Sequence, residues 1–127
     1  MRLALDLRSV DDAAECLGLA QEADRFGLWA VVLAGHGGIG GVRAAEVAVA
    51  TSNCHLALVV DLAEVHPFAA AEELAVLDHL SERRRLAVAR GEPDQVAHLR
   101  DLLAGHIVDG VAVAPPPAQT ALPVWSE

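Results

Sequence analysis

The sequence predicts an α/β fold in which parallel strands alternate with helices. Three observations carry this. Apolar runs of strand length alternate with longer helix-like segments in the order β-α-β-α-β-α-β-α-β. The links between them are short, with no linker or low-complexity break. The run LWAVVLA (28–34) is continuously apolar, as a strand covered on both faces is. Regular alternation with short links implies a parallel sheet with right-handed crossovers. Two architectures satisfy it: a flat sheet with helices on both faces, or a curved sheet with helices on one face, which is part of a β/α barrel. Periodicity does not choose between them.

Each element has its own signal. RLALDL (2–7) reads as the first strand. The segment 10–27 is an amphipathic helix, capped by Asp11 or Asp12, acidic in its first turns and ended by Gly27. LWAVVLA is the second strand, and about Val42–Thr51 the second helix. HLALVVD (55–61) is the third strand, followed by a helix over 67–80 with proline in its first turn. RLAVAR (85–90) is the fourth strand, and 93–105 the fourth helix, opening on Pro93 and closing on Gly105. HIVDGVAVA (106–114) reads as a fifth strand, bent at Gly110. The tail PPPAQTALPVWSE is extended, with the short apolar piece LPVW near its end.

Composition narrows the function classes. At 127 residues the chain suits one domain, 1–127, with one core. A net charge of −9 argues against nucleic acid and anionic membrane as partners. Its apolar runs fall far short of the about 20 residues of a membrane span. Cys16 and Cys54 are isolated, and no basic-plus-apolar leader opens the sequence, so the expected setting is a reducing cytoplasm. Both thiols read as small buried apolar groups. No metal-ligand spacing and no G-x-S-x-G nucleophile motif is present. Arg83, Arg84 and Arg85 read as a solvated patch at the end of the third helix.

In either architecture the useful side chains sit at the carboxyl ends of the strands. Those ends offer Asp6 and Arg8, His36, Asp61, and Arg90. A histidine can act as acid or base near neutral pH, and an arginine can hold a phosphate. The plainer reading is that Asp6 and Asp61 cap neighbouring helices and Arg90 pairs with an acid. One loop carries a sharper signal. Gly35, Gly37 and Gly40 fit G-x-G-x-x-G, with Asp61 ending the next strand, the outline of a dinucleotide-binding turn. The loop also contains Gly38 and Gly41, and it follows the second strand rather than the first.

Read across its segments, the chain resembles the bacterial luciferase-like monooxygenases. AQEADRFGLWAVVLAGH, VATSNCHLALVV and HPFAAAEELAVLDHLSERRRLAVARG follow the family's order, and PPPAQTALPVW is similar to the segment leading into its next barrel strand. The resemblance implies a partial (β/α) barrel, truncated after about five to six strands, and reduced FMN or the deazaflavin F420 as cofactor. It implies that His36 is the histidine near the reactive face of the flavin. It places Arg90 near the cofactor phosphate, and Leu58 and Val59 beside the isoalloxazine ring; Asp6 and Asp61 share the rim. The sequence departs from the family where an acid becomes Gly35 and a second histidine Gly37. The turn after Leu80-Ser81 is one residue short, and VWSE falls about halfway along the family's length.

The expected function is therefore a truncated homologue without independent turnover, binding flavin or serving as an assembly partner. The resemblance implies homodimerisation or hetero-assembly through helices two and three; the open sheet offers another route. One alternative is a working small flavin- or F420-dependent oxidoreductase completed across a dimer. The other is a Rossmann-like NAD-binding module.

Overall fold

The computed structural model describes residues 1–35, 38–82, 84–114, 116–117, 119 and 123–126. Among these residues nine elements follow in order: β1 (Ala4–Asp6), α1 (Ala13–Arg25), β2 (Ala30–Ala34), α2 (Gly38–Ala50), β3 (His55–Asp61), α3 (Pro67–Leu80), β4 (Arg85–Arg90), α4 (Pro93–Leu103) and β5 (Val124–Ser126). All five strands form one sheet in the order β1-β2-β3-β4-β5, every pair parallel. Consecutive order decides between the two architectures. Right-handed crossovers that never reverse direction put every helix on the same face. The helices accordingly pack in sequence, α1 on α2, α2 on α3 and α3 on α4. This is the curved β/α-barrel arrangement, not the doubly wound one.

The core lies between sheet and helices. Val31 and Leu33, Leu56, Leu58 and Val60, and Ala87 and Ala89 turn toward the helices from β2, β3 and β4. They meet alanine-rich faces on α1, α2 and α3, including Ala20, Ala44, Ala70, Ala71 and Ala75. Small side chains let helices lie close to the strands. Alternation sends Ala30, Ala57, Val59 and Leu86 to the opposite, concave side, where they too are buried. Trp29 and Trp125 meet on that side. Their rings stack with centroids 6.0 Å apart, His55 lies 5.0 Å from Trp29, and the Arg2 guanidinium sits 5.0 Å from the same ring. Trp125 is on β5 and Trp29 just precedes β2, three strand spacings away, or about 14 Å in a flat sheet. Curvature toward this face brings them together.

The fifth strand differs from the sequence expectation. Residues 106–114 do not form one. Asp109 and Gly110 both adopt left-handed backbone, φ 51° and 77°. Val108 and Val111 exchange hydrogen bonds of 2.9 and 3.0 Å across them. An Asp-Gly pair with two positive φ angles is the chemistry of a tight hairpin turn, and it overrides the apolar pattern around it. The strand beside β4 is instead Val124–Ser126, with Ala87 pairing Val124 and Val88 pairing Trp125. The intervening tail is pinned by Gln119. Its backbone N–H and side-chain amide donate to the Asp78 carboxylate at 2.7 and 2.6 Å, and the amide also donates to the Arg85 carbonyl at 2.8 Å.

The arginine run is not a solvated patch. Arg83 lies outside the described residues. Arg84 reaches across to the carboxyl end of α2, donating to the carbonyls of Ala48, Thr51 and Cys54 and to the Thr51 hydroxyl. A cation there satisfies the open carbonyls and the negative end of the helix dipole. Arg85 is 1% exposed beneath the helices. Burial pushes its guanidinium down to about 9, opposed by nearby Asp78.

The same α2–β3 loop is held from the other side by Asp24 of α1. Its carboxylate accepts from the backbone N–H groups of Ser52, Asn53 and Cys54 at 3.0, 2.8 and 2.7 Å. Burial raises this carboxyl, but the amide hydrogen bonds together outweigh it and leave it below its ordinary value. A folded-state value below the unfolded one means the native state binds fewer protons. The stabilisation is therefore present above about pH 4 and lost as pH falls through the folded value. Asp24→Asn is expected to narrow the gap between denaturation midpoints at pH 7 and pH 3. An unchanged gap in urea titrations would refute this role.

Candidate functional site

Parallel strands of one sheet all end on the same rim, so the carboxyl ends of β1 to β4 bring together residues far apart in sequence. Asp6, Asp61 and Arg90 each point to the concave side, since Leu5, Val60 and Ala89 beside them face the helices. Asp61 and Arg90 are direct partners in the β3–β4 register. Asp6 is held by Arg8, whose Nε and Nη2 donate to the carboxylate at 3.0 and 2.8 Å. That side-chain hydrogen bond holds Asp6 below the usual carboxylate range. The Asp61 Oδ1 accepts from Ala63 N–H at 2.9 Å, tightening the β3–α3 loop. Neither aspartate caps a helix. That task falls to Asp12 for α1 and His66 for α3. Arg90 is exposed on the rim.

The remaining sequence-proposed residues divide. Val59 lies on the concave side, 8% exposed, while Leu58 turns into the helix-side core and is fully buried. Of that pair, only Val59 presents its side chain to the barrel interior. His36 and Gly37 lie outside the described residues.

Under the rim, between the ends of β1 and β2 and helices α1 and α2, is a cavity of about 180 Å³ lined by Leu7, Arg8, Cys16, Leu33, Ala34, Gly40 and Arg43. Arg43 is a residue that sequence reasoning missed. It projects from α2 and donates to the carbonyls of Val10 and Asp11. In doing so it anchors the β1–α1 loop and sets a second guanidinium beside Arg8. Its only sequence signal was a lone cation in an alanine-rich helix. Burial pushes the Cys16 thiol up and the Cys54 thiol up to about 11. Both are therefore protonated packing groups, not nucleophiles.

The glycines have structural work of their own. Gly35 extends the β2–β3 ladder, its N–H donating to Val59 carbonyl at 2.8 Å. A Cβ there would meet the Leu58 Cβ at 2.8 Å and the Val60 Cγ2 at 3.2 Å. No acidic side chain could stand at this position without moving β3. Gly40 lets the first turn of α2 approach Ala34, where a Cβ would sit at 3.2 Å. Close helix–strand approach is the third-glycine role in a dinucleotide fingerprint, and here sheet packing alone requires it. Nucleotide sites of doubly wound sheets lie where the strand order reverses; this order does not reverse.

No family model matches the sequence, and no curated protein does. Solved structures do match the fold. The monooxygenase RslO1 from Streptomyces bottropensis superposes with a TM-score of 0.79 at 21% identity, over 99% of this chain and 53% of its own. The coenzyme F420-dependent tetrahydromethanopterin reductase from Methanopyrus kandleri gives 0.64 at 20% identity, over 76% of this chain and 29% of its own. The oxygenating constituent of 3,6-diketocamphane monooxygenase from Pseudomonas putida, in complex with FMN, gives 0.57 at 20%, over 70% and 29%. The chain shares the fold of these enzymes and spans about half the length of the first.

The glycine geometry gives a direct test. Gly35→Ala is expected to lose about 1–3 kcal/mol of stability through overpacking. Gly41→Ala, in the first turn of α2 with open space around its Cβ position, is expected to be neutral or to gain up to about 1 kcal/mol from helix propensity. Equal effects of the two in urea unfolding would show that the contact with Leu58 does not limit this position.

Proposed function

We propose that this chain is a luciferase-like half-barrel that binds FMN or F420 weakly and works as an assembly partner, without turnover by itself. The observation that carries the reading is the rim. Consecutive parallel order sets Asp6, Asp61 and Arg90 on one concave-facing edge, in a fold shared with F420- and FMN-associated enzymes. The residues present fit one part of such a cofactor. Arg90 on the concave-facing rim offers positive charge to a phosphate, and Arg8 and Arg43 offer it at the cavity between the sheet and helices α1 and α2. The cavity of about 180 Å³ is smaller than the about 300 Å³ at which pockets for larger ligands begin. It suits a phosphate better than a whole ring system. His36 is proposed as the acid/base at the same rim and Val59 as part of the wall behind the ring. A bound reduced flavin would supply the electrons; the chain's own groups would bind and orient it. The second reading, an oxidoreductase completed across a dimer, uses the same residues. The NAD reading is disfavoured by the unreversed strand order.

The proposed assembly face is the outer surface of α2 and α3. A groove of about 490 Å³ runs between them, lined by Gly41, Val42, Ala45, Val76, Leu77 and Leu80, with Glu72 and Glu73 among its polar groups. Val42, Val49, Val76 and Leu80 are exposed there, two turns apart on one helix and one turn apart on the other. Apolar side chains repeated on a helical face gain by burial against another such face. A second copy is the proposed occupant, with alanines allowing close helix approach.

Two measurements check these readings. Titration with FMN, reduced FMN and F420 is expected to show binding, weakened about tenfold, or about 1.4 kcal/mol, by Arg90→Ala. No binding of any of the three at about 100 μM sinks the cofactor reading, and oxygen-dependent turnover by the chain alone favours the second one. Light scattering across micromolar concentrations is expected to give a dimer, converted to monomer by Val42→Glu with Val76→Glu. A wild-type monomer throughout that range overturns the assembly face.

A further inference from the structure

The helix that follows the rim aspartate is capped by a histidine. His66 is the N-cap of α3, and its Nδ1 accepts from the Phe68 backbone N–H at 3.1 Å. Pro67 has no N–H to offer, so Phe68 supplies the first amide donor of the helix. The acceptor must be a bare ring nitrogen. A neutral imidazole with its hydrogen on Nε2 provides one; an imidazolium carries hydrogen on both nitrogens and cannot. Protonation therefore removes the cap bond and sets N–H against N–H. It also places a positive charge at the positive end of the helix dipole.

Nothing in the first turn of α3 offsets that charge, since it has no acidic side chain. Among the described residues, two other elements bring polar groups to the ring. From α4, His98 meets it edge-on, with ring centroids 5.7 Å apart and planes at 86°. From the turn after α4, Asp109 lines the same cavity of about 210 Å³, with Phe68, Leu102, Val108 and Val111 as its apolar wall. On the preceding loop stand Asp61 and Glu64. Protonation of His98 would add like charge beside His66; Asp109 opposes both. The pair is poorly suited to a metal. With Nδ1 accepting a backbone hydrogen, Nε2 keeps its own hydrogen and has no lone pair to give.

The loop that this cap closes is the one leaving the rim. At its start, Asp61 accepts from Ala63 N–H through Oδ1, and its carbonyl accepts from Glu64 and Val65 N–H. At its end stands His66. We propose that His66 is a proton-operated latch on the β3–α3 loop. The neutral ring locks the first turn of α3 and the loop behind Asp61; protonation releases them. The rim is thus ordered while the ring is neutral and loosened once it is protonated.

Amide hydrogen exchange, corrected for its intrinsic pH dependence, tests this at Phe68 in the full chain. From pH 7.5 to 5.5 the protection of Phe68 is expected to fall about fivefold, the loss of a typical cap. In His66→Asn, which caps through an amide oxygen that does not titrate, protection should stay level between the two pH values. In His98→Ala the fall should persist. A level wild type, an equal fall in His66→Asn, or a fall abolished by His98→Ala would each overturn the latch.

Discussion

The structure depends on one constraint, the hand of the crossover between parallel strands. Each βα unit returns the chain to the same end of the sheet, and each turns the same way. With no reversal in strand order, the helices have one face to occupy and must share it. Their packing surfaces are consequently small-residue surfaces, and the alanines of α1, α2 and α3 are a demand of crowding as much as of helix propensity. The other face is left to curve inward. Every strand also delivers its last residue to the same rim, which is why a short chain can set Asp6, Asp61 and Arg90 along one edge.

The two rims answer to different physics. At the amino ends of the strands, three charged side chains are spent on the protein itself. Asp24 takes three backbone amides, Arg84 takes the end of α2, and Asp78 is occupied by Gln119. These contacts close loops and leave little for a ligand. At the carboxyl ends the groups are more exposed and held more lightly, through the Arg8 pair and the Asp61 turn. A scaffold that is tight at one end and open at the other suits binding at the open end.

Much of the fold was legible because it rests on period. The third strand and third helix fall where the apolar run and Pro67 put them. The fifth strand was misplaced because Asp109 and Gly110 obey a backbone rule that hydrophobic pattern does not carry. The curvature could not be read from any single segment, since it follows from strand order; only the likeness of whole segments pointed to it. The placement of the candidate rim was legible in part. Strand ends are predictable, so Asp6, Asp61 and Arg90 could be named in advance. Leu58 could not be sorted from Val59 without knowing which face β3 turns to the helices. Arg43, His66 and Gln119 escaped because each acts on a partner distant in sequence or through a single ring nitrogen. The glycine loop was the reverse case, a pattern that reads as ligand chemistry but is required at Gly35 by the Leu58 and Val60 side chains and at Gly40 by Ala34.

The tryptophan pair has a practical consequence. The chain contains two tryptophans and no tyrosine, and both indoles lie in one stack on the concave side. Near-ultraviolet absorption and intrinsic emission are therefore dominated by this single place. Parallel indoles at 6.0 Å are close enough for their transitions to couple, so the circular dichroism of the chain doubles as a gauge of sheet curvature. Any opening of the strands, or any planar ring settling against them, would be written directly into the protein's own optical spectrum.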